Sequence, residues 1–367
     1  MGPIAELSRK KSNRFDNDGS LVYAISRVPP CTMPKITDVA REAGVSPSTV
    51  SHVLSGNRPI SQETRARVLA AIEKLKYVPN SNARALKSRK SEIIGFFASD
   101  ITETFSAEIA RGVESVLRPQ GYHTLIVSGA EFGGNIPEAL EFLMRRDMDG
   151  VVLAYSVATT HTTDILESLR VPALSINRDF GPSPPSILLN NYQGGRDAAE
   201  HLLSIGSRRP AFVSGPSKRL ASSERLRGFS SYLAERNVSF EVEQGDFTFE
   251  GGYEAAGRLL ARVPEVDGVF GANDYVAAGV IQAASAAGRR VPQDIKVIGF
   301  DDRDFASFWP TPITTFYYPL MEMGSQSARM LLRLVRNEPL DEPKVSVRAQ
   351  LIQRGSSSER YNPGSAT

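Results

Sequence analysis

The chain has 367 residues, of which 41% are hydrophobic and 23% charged, with a formal net charge of +2. This describes a soluble globular protein of two or three domains. No apolar run nears the eighteen or so residues of a membrane span, and the single Cys31 can close no internal disulfide, which fits a reducing cytoplasm. Residues 1–33 mix polar, charged and Pro residues, and the apolar piece Leu21–Ile25 is too short for a signal-peptide core. A disordered extension is expected there, with Met33 an alternative translation start. Residues 34–79 then read as a helical domain. A short helix around Asp38-Val39-Ala40 places Ile36, Val39, Ala40 and Ala43 on one face, and Gly44 breaks it with the backbone freedom of a tight turn. Ser46 follows as an N-cap with Pro47 at the first helical position. The second helix buries Val50, Val53 and Leu54 and turns Pro47, Ser48, Thr49, Ser51 and His52 outward. Two short helices around a glycine turn, the second exposing small polar residues, form the helix-turn-helix pattern of DNA readers. An ordinary helical hairpin would share that geometry.

A third helix, Gln62 to Leu75 capped by Ser61, carries an apolar stripe of Val68, Leu69, Ile72 and Leu75. From Pro34 to Lys90 there are eleven Lys/Arg against four Asp/Glu, a surplus of seven in a chain of net charge +2. A basic module on an acidic body is the electrostatic footprint of a nucleic-acid binder. Beyond residue 92, apolar strands alternate with amphipathic helices. The first block has strands at Ile93–Phe97, His123–Val127, Gly150–Leu153 and Pro172–Ile176, with helices at Ser106–Arg118, Pro137–Arg145 and Asp164–Leu169. After Leu188 the alternation restarts with helix Gly194–Leu203, strand Pro210–Val213 and helices Ser223–Glu235 and Tyr253–Ala261. Strand Gly268–Gly271, helix Ala277–Ala287 and strand Lys296–Phe300 complete it. Such repetition predicts an α/β core of two parallel-sheet lobes, with a ligand cleft at strand C-terminal ends. Asn273-Asp274 and Asp301-Asp302 each follow a strand directly, Asn177-Arg178 follow another, and Arg225 opens a helix after the VSGP turn. Phe105, Phe247 and Trp309 add flat apolar surface, although Trp309, before Pro310, reads better as a lid or core ring. Asp274 and Asp302 also suit helix capping or hinge hydrogen bonding.

The segments DVAREAGVSPSTVSHVL, TRARVLAAIEKLKYVPN, ARALKSRKSEIIGFF, GANDYVAAGVIQAA and VPQDIKVIGFDD occur in this order. On these motifs the chain resembles the lactose-repressor (LacI/GalR) family of bacterial transcription regulators, from residue 35 to about 356. The resemblance implies an N-terminal helix-turn-helix domain (34–79), a hinge helix and linker (80–92) and a two-lobed periplasmic-binding-protein-like core (93–356). It places the N-lobe at about 93–191 and 319–345, and the C-lobe at about 192–318 and 346–356, with lobe crossings near Asn191, Tyr318 and Ser346. It further implies a homodimer on a palindromic double-stranded operator. Ser48 and His52 would meet base edges in the major groove, Thr49 and Ser51 phosphates, and Pro47 a thymine methyl or the groove shape. In the hinge, Asn82, Ala83, Leu86 and Lys87 would contact DNA, with Leu86 wedged into the minor groove. Phe105, Asn177, Arg178, Arg225, Phe247, Asn273 and Asp301 match positions from which the family contacts a small-molecule effector.

The pattern departs from the family in places. Leu189 stands where many members have an acid, Glu103-Thr104-Phe105-Ser106 where many read Asn-Pro-Phe-Phe, and Asn177-Arg178 where Asp-Arg is usual. A sugar or sugar derivative is the expected effector. The four histidines lack metal-ligand spacing, and there is no HExxH, P-loop or nucleophile elbow, so no enzyme, cofactor or metal is expected. A sugar receptor of the transport type is the rival, but it would need an export signal and would lack the basic DNA-reading segment. The Gly/Ser-rich tail (357–367) has no heptads, so a dimer rather than a coiled-coil tetramer is expected.

Overall fold

The structure, a computed structural model, describes residues 34–56, 58–78, 90–154, 169–217 and 219–359, together with the backbone of the antiparallel two-residue strands Arg14–Phe15 and Leu21–Val22. The remainder of the expected extension, the hinge residues 80–87, the body of the helix expected from Asp164 and the end of the tail lie outside the described residues. The chain divides into two units, residues 1–84 and 85–367.

The first unit contains α1 (Ile36–Ala43), α2 (Pro47–Ser55) and α3 (Gln62–Leu75). Helix α1 starts two residues ahead of Asp38, because the Asp38 carboxylate accepts the Lys35 backbone N–H at 2.8 Å. It stops at Gly44, whose φ of +63° lets Val45 N–H return to the Ala40 carbonyl. The Oγ atoms of Ser46 and Ser61 accept the N–H groups of Thr49 and Thr64, capping α2 and α3. Val39, Ala40, Ala43, Val50, Val53, Val68, Ala71 and Tyr77 are the core. Leu69 departs from the expected stripe and is 49% exposed. The inward face runs Val68, Ala71 or Ile72, Leu75; Leu69 lies about 100° round the helix from Val68 and turns away.

The second unit contains two parallel sheets. Its first strands are β1 (Ile93–Ala98), β2 (His123–Ser128), β3 (Gly150–Ala154), β4 (Ala173–Ile176), β5 (Ser186–Leu189) and β6 (Pro210–Ser214). Then come β7 (Glu241–Gln244), β8 (Gly268–Gly271), β9 (Lys296–Ile298), β10 (Thr315–Tyr317), β11 (Lys344–Val347) and β12 (Gln350–Ile352). The helices are α4 (Thr104–Leu117), α5 (Ile136–Met144), α6 (Asn191–Ser204), α7 (Leu220–Ala234) and α8 (Phe249–Arg262). They are followed by α9 (Asp274–Ala286), α10 (Asp304–Phe308) and α11 (Leu320–Val335).

One sheet has the order β11-β5-β4-β3-β1-β2 and the other β9-β8-β6-β7, while β10 and β12 form an antiparallel pair. The chain therefore passes from the six-stranded to the four-stranded lobe after β5, returns after β10, and leaves again after β11. Period-2 alternation sends neighbouring residues to opposite, equally buried faces. Phe96 and Val152 pack with Ile109 of α4 and Leu331 of α11, whereas Phe97, Val151 and Leu153 meet Leu140 and Leu143 of α5. In the second lobe Phe212 and Phe270 face α6 and α7, and Ala211, Val213 and Val269 face α8 and α9.

Each of the three main helix pairs is closed by glycines facing backbone. A Cβ on Gly112 would strike the Met321 carbonyl and one on Gly324 the Ile109 carbonyl, where α4 meets α11. Gly195 and Gly228 stand in the same relation between α6 and α7, as do Gly252 and Gly279 between α8 and α9. These close approaches hold the helices rigidly beside the strand ends that carry the site.

Candidate nucleic-acid interface and ligand cavity

On α2, Pro47 and Ser48 are exposed, while Thr49, Ser51 and His52 are half-buried rather than fully outward. Ser46 Oγ lies 2.7 Å from Ser48 Oγ and 2.9 Å from Thr49 Oγ1, so the first turn forms a small hydroxyl cluster. Such hydroxyls can donate or accept. Lys74 Nζ pairs with Glu42 at 2.7 Å, tying α3 to α1 and leaving the α2 surface clear of that pair.

In the second unit a cavity of about 380 Å³ opens between the lobes at the C-terminal ends of the strands. Its walls come from the turns and the helix starts after β1 (Thr102 to Phe105), β4 (Asn177), β6 (Arg219, and Arg225 within α7), β7 (Asp246 to Thr248), β8 (Asn273, and Tyr275 of α9) and β9 (Asp301 and Arg303), with Tyr318 from the crossing after β10. At the centre is a buried ion cluster. Arg225, with 4% of its side chain exposed, approaches Asp301 Oδ1 at 3.5 Å, and Arg303 approaches Asp301 Oδ2 at 3.7 Å. Tyr318 Oη donates to Asp301 Oδ1 at 2.9 Å; burial and the Asp301 charge hold that phenol far above its usual range. Arg225 also donates to Asn191 Oδ1 and the Ala272 carbonyl, and its guanidinium lies 3.6 Å from the centre of the Phe300 ring. The buried cation is thus satisfied on every side.

At the rim, Arg219 pairs with Glu103 at 2.7 Å and Arg303 with Glu108 at 3.4 Å, each bond linking one lobe to the other. These partly exposed pairs are each worth about 0–1 kcal/mol. One Asp-x-Thr turn occurs on both sides of the cavity. Asp100 Oδ1 accepts the N–H and hydroxyl of Thr102, and Asp246 Oδ1 those of Thr248. Three lining residues, Asn177, Phe247 and Asp301, have φ of +64°, +74° and +110°. Strained backbone of this kind concentrates at ligand sites.

Residues 35–80 match the family described as bacterial regulatory proteins, lacI family, and residues 199–357 match the periplasmic binding protein-like domain. The chain is 33% identical over 322 residues to a ribose operon repressor of Halalkalibacterium halodurans, spanning 88% of this chain and 96% of that one. The chain belongs to the LacI family. It is likewise 33% identical to the transcriptional repressor PurR of Mannheimia succiniciproducens, over 88% of this chain and 98% of that one. A lac repressor dimer solved with operator and the anti-inducer ONPF superposes with a TM-score of 0.81 at 27% identity, covering 89% and 99% of the two chains. The protein is therefore a LacI-family, DNA-binding transcription regulator with a helix-turn-helix domain and a two-lobed α/β core.

Of the LacI-family positions picked from sequence, Phe105, Asn177, Arg225, Phe247, Asn273 and Asp301 all line the cavity. Arg178 does not. The left-handed turn at Asn177 sends successive side chains apart, and the Arg178 guanidinium stacks 4.6 Å from the centre of the Phe180 ring. Asn273 has a structural duty as well: its Oδ1 caps α9 by accepting Val276 N–H, and its amide donates to the Phe247 carbonyl. Asp274 and Asp302 take the hydrogen-bonding rather than the capping alternative, with partners on the segments next to the lobe crossings. Asp274 accepts Arg303 N–H and bonds Thr315, and Asp302 pairs with Arg354 at 2.7 Å. Trp309 packs on Phe249 and Phe305, away from the cavity lining. Sequence reading missed Glu103, Arg219, Asp246, Tyr275, Arg303 and Tyr318. The repeated Asp-x-Thr was a usable signal for Asp246. Tyr318 was placed only as a lobe crossing, since its burial against Asp301 depends on neighbours brought together by that crossing. Asn82, Ala83, Leu86 and Lys87 lie outside the described residues. Among the described residues no group of three His, Cys, Asp or Glu could hold a metal ion, and no helix is long and apolar enough to cross a membrane.

Proposed function

We propose that this regulator is a cytoplasmic repressor that binds a palindromic operator as a homodimer and is controlled by an uncharged polyhydroxyl effector, a sugar or sugar derivative, in the inter-lobe cavity. The observation that carries the effector class is charge balance. The lining has three carboxylates, Glu103, Asp246 and Asp301, and three guanidiniums, Arg219, Arg225 and Arg303. Within it Arg219 meets Glu103, and Asp301 lies between Arg225 and Arg303. A phosphorylated ligand would have to break these pairs, whereas sugar hydroxyls can add hydrogen bonds to them. Phe105, Phe247 and Tyr275 offer flat surface for the apolar face of a ring. The ribose operon repressor among its relatives is in keeping with a pentose.

On the DNA side, Ser48 and His52 stand one turn apart on α2 for base edges, with Thr49 and Ser51 for phosphates, Pro47 against the groove and Asn82, Ala83, Leu86 and Lys87 in the hinge. Phe105, Asn177, Arg225, Phe247, Asn273 and Asp301 form the effector contacts. Two measurements test the proposal. Duplex DNA should be retarded with an affinity that falls steeply with salt, as released counterions require. Thermal shift against D-ribose, other neutral sugars, sugar phosphates and nucleobases should favour the neutral sugars. Selective stabilisation by a sugar phosphate would refute the charge-balance argument.

A further inference from the structure

Two copies of one polar clamp lie outside the cavity. The tripeptide Asp-Gly-Val opens β3 as Asp149-Gly150-Val151 and β8 as Asp267-Gly268-Val269. In the four-stranded lobe the Asp267 carboxylate accepts the Ser207 hydroxyl at 2.6 Å, Arg208 N–H at 2.9 Å and Arg209 N–H at 2.9 Å, residues that lead into β6. In the six-stranded lobe Asp149 Oδ1 accepts Ser91 N–H at 2.8 Å and the Ser91 hydroxyl at 3.0 Å, and Oδ2 accepts Glu92 N–H at 3.1 Å, residues that lead into β1. Backbone bonds reinforce both, from Asp149 N–H to the Ile93 carbonyl and from Asp267 N–H to the Arg209 carbonyl.

The copies differ in what precedes them and in strain. Residues 207–209 follow α6 after a short turn at Gly206. Ser91 and Glu92 instead follow, in sequence, the basic segment that leads from the helix-turn-helix. Glu92 stands at φ +58°, a left-handed conformation costly for a residue with a Cβ, while neither Arg208 nor Arg209 has a positive φ. Such a conformation persists only where its surroundings impose it. Here Asp149 holds the Glu92 N–H, and the Glu92 carbonyl accepts His123 N–H at 2.8 Å. From Glu92, β1 runs directly to the Thr102–Phe105 turn of the cavity wall.

We propose that Asp149 is a positioning residue for DNA reading: through Ser91 and left-handed Glu92 it sets the direction in which the chain leaves the effector-binding core, and sequence-selective DNA binding depends on it. The proposal rests on the repressor reading above. Asp267 is its internal control, a clamp of the same chemistry on a strand with no DNA-reading segment before it.

The test uses full-length Asp149→Asn and Asp267→Asn. Asparagine keeps one acceptor oxygen but points an amide NH2 at the donors. Hydrogen exchange at Ser91 and Glu92, which needs no DNA, reports the clamp itself. Binding is measured to a duplex that the wild-type chain selects from a randomised palindromic pool, and to an unrelated duplex. Both variants should melt a few degrees lower. Only Asp149→Asn should speed exchange at Ser91 and Glu92 and weaken the selected duplex about tenfold, within the range for positions that touch neither ligand. Its affinity for the unrelated duplex should stay within about twofold, since no phosphate contact changes. Equal losses in the two variants, or faster exchange with unchanged selective binding, overturn the proposal. A wild-type chain that selects no duplex removes the repressor reading, and the proposal with it, whatever the exchange data show.

Discussion

Asp274, the first residue of α9, has no solvent exposure, and its Oδ2 accepts Arg303 N–H at 2.7 Å while Oδ1 lies 2.5 Å from Thr315 Oγ1. Burial, and then the nearby charge of Asp301, push its carboxyl from 3.8 up to about 8, against the opposing pull of the two hydrogen bonds. The folded chain thus holds a proton there at neutral pH that the unfolded chain releases. Between the two values the native state binds more protons, so stability falls as pH rises. The contribution is complete below about pH 4 and is lost as pH climbs through about 8. One pKa unit corresponds to about 1.4 kcal/mol, so pH 5 to 7 should cost up to about 3 kcal/mol from this group alone. Asp274→Asn keeps the shape and cannot ionise; its oxygen can accept Arg303 N–H while its NH2 donates to Thr315 Oγ1. Urea unfolding of wild type and variant at pH 5, 6, 7 and 8 checks this. The variant should gain steadily on the wild type as pH rises. A stability difference that stays constant across that range would show the carboxylate ionised in the fold and refute the reasoning.

Three further outcomes are expected. Asp301→Asn leaves Arg225 and Arg303 under-compensated, but Arg225 keeps Asn191, the Ala272 carbonyl and the Phe300 ring, so the loss should be about 1–3 kcal/mol, below the usual cost of breaking a buried pair. Sugar affinity, by titration calorimetry, should fall about ten- to a hundredfold, with DNA affinity unchanged while the chain stays folded. Gly228→Ala drives a Cβ into the Tyr192 carbonyl and should destabilise by about 1–3 kcal/mol, whereas Gly257→Ala, with nothing within 4 Å, should stabilise α8 by about 0.5–1 kcal/mol; thermal unfolding of the pair decides. His52→Ala should relax base preference at one symmetric pair of operator positions, at about 1–3 kcal/mol per contact. An unchanged selected sequence would mean that His52 does not read bases.

The helix-turn-helix was legible because its determinants are local. Gly44, Ser46 and Pro47 set a turn and a cap within a few residues, and the α1 and α2 cores follow helical spacing. The error at Leu69 arose where four apolar residues crowd one helix and only the neighbours decide which face turns inward. Seven of the ten strands of the two parallel sheets, β1 to β4, β6, β8 and β9, were legible as apolar runs, whereas β5 and β11 were not picked out. Strand β7 was not either, because an edge strand reading Glu-Val-Glu-Gln buries only alternate residues in part. Nor was α11, whose buried face is shaped by α4 and by Gly324 against Ile109.

For the cavity, the sequence by itself determined the walls that follow β1, β4, β6, β8 and β9, since residues after parallel strands gather at one sheet edge whatever the details. It also determined the family, because five separate motifs recur in order over most of the chain. Only the tertiary structure decided which side chain of a pair points inward, as at Asn177 against Arg178, where a positive φ divides them. It alone revealed the ion cluster of Asp301, Arg225, Arg303 and Tyr318, whose members span 94 residues of sequence and meet because the chain crosses between lobes. Burial and charge pairing are properties of what surrounds a group, and a one-dimensional pattern carries no record of neighbours brought in from so far away.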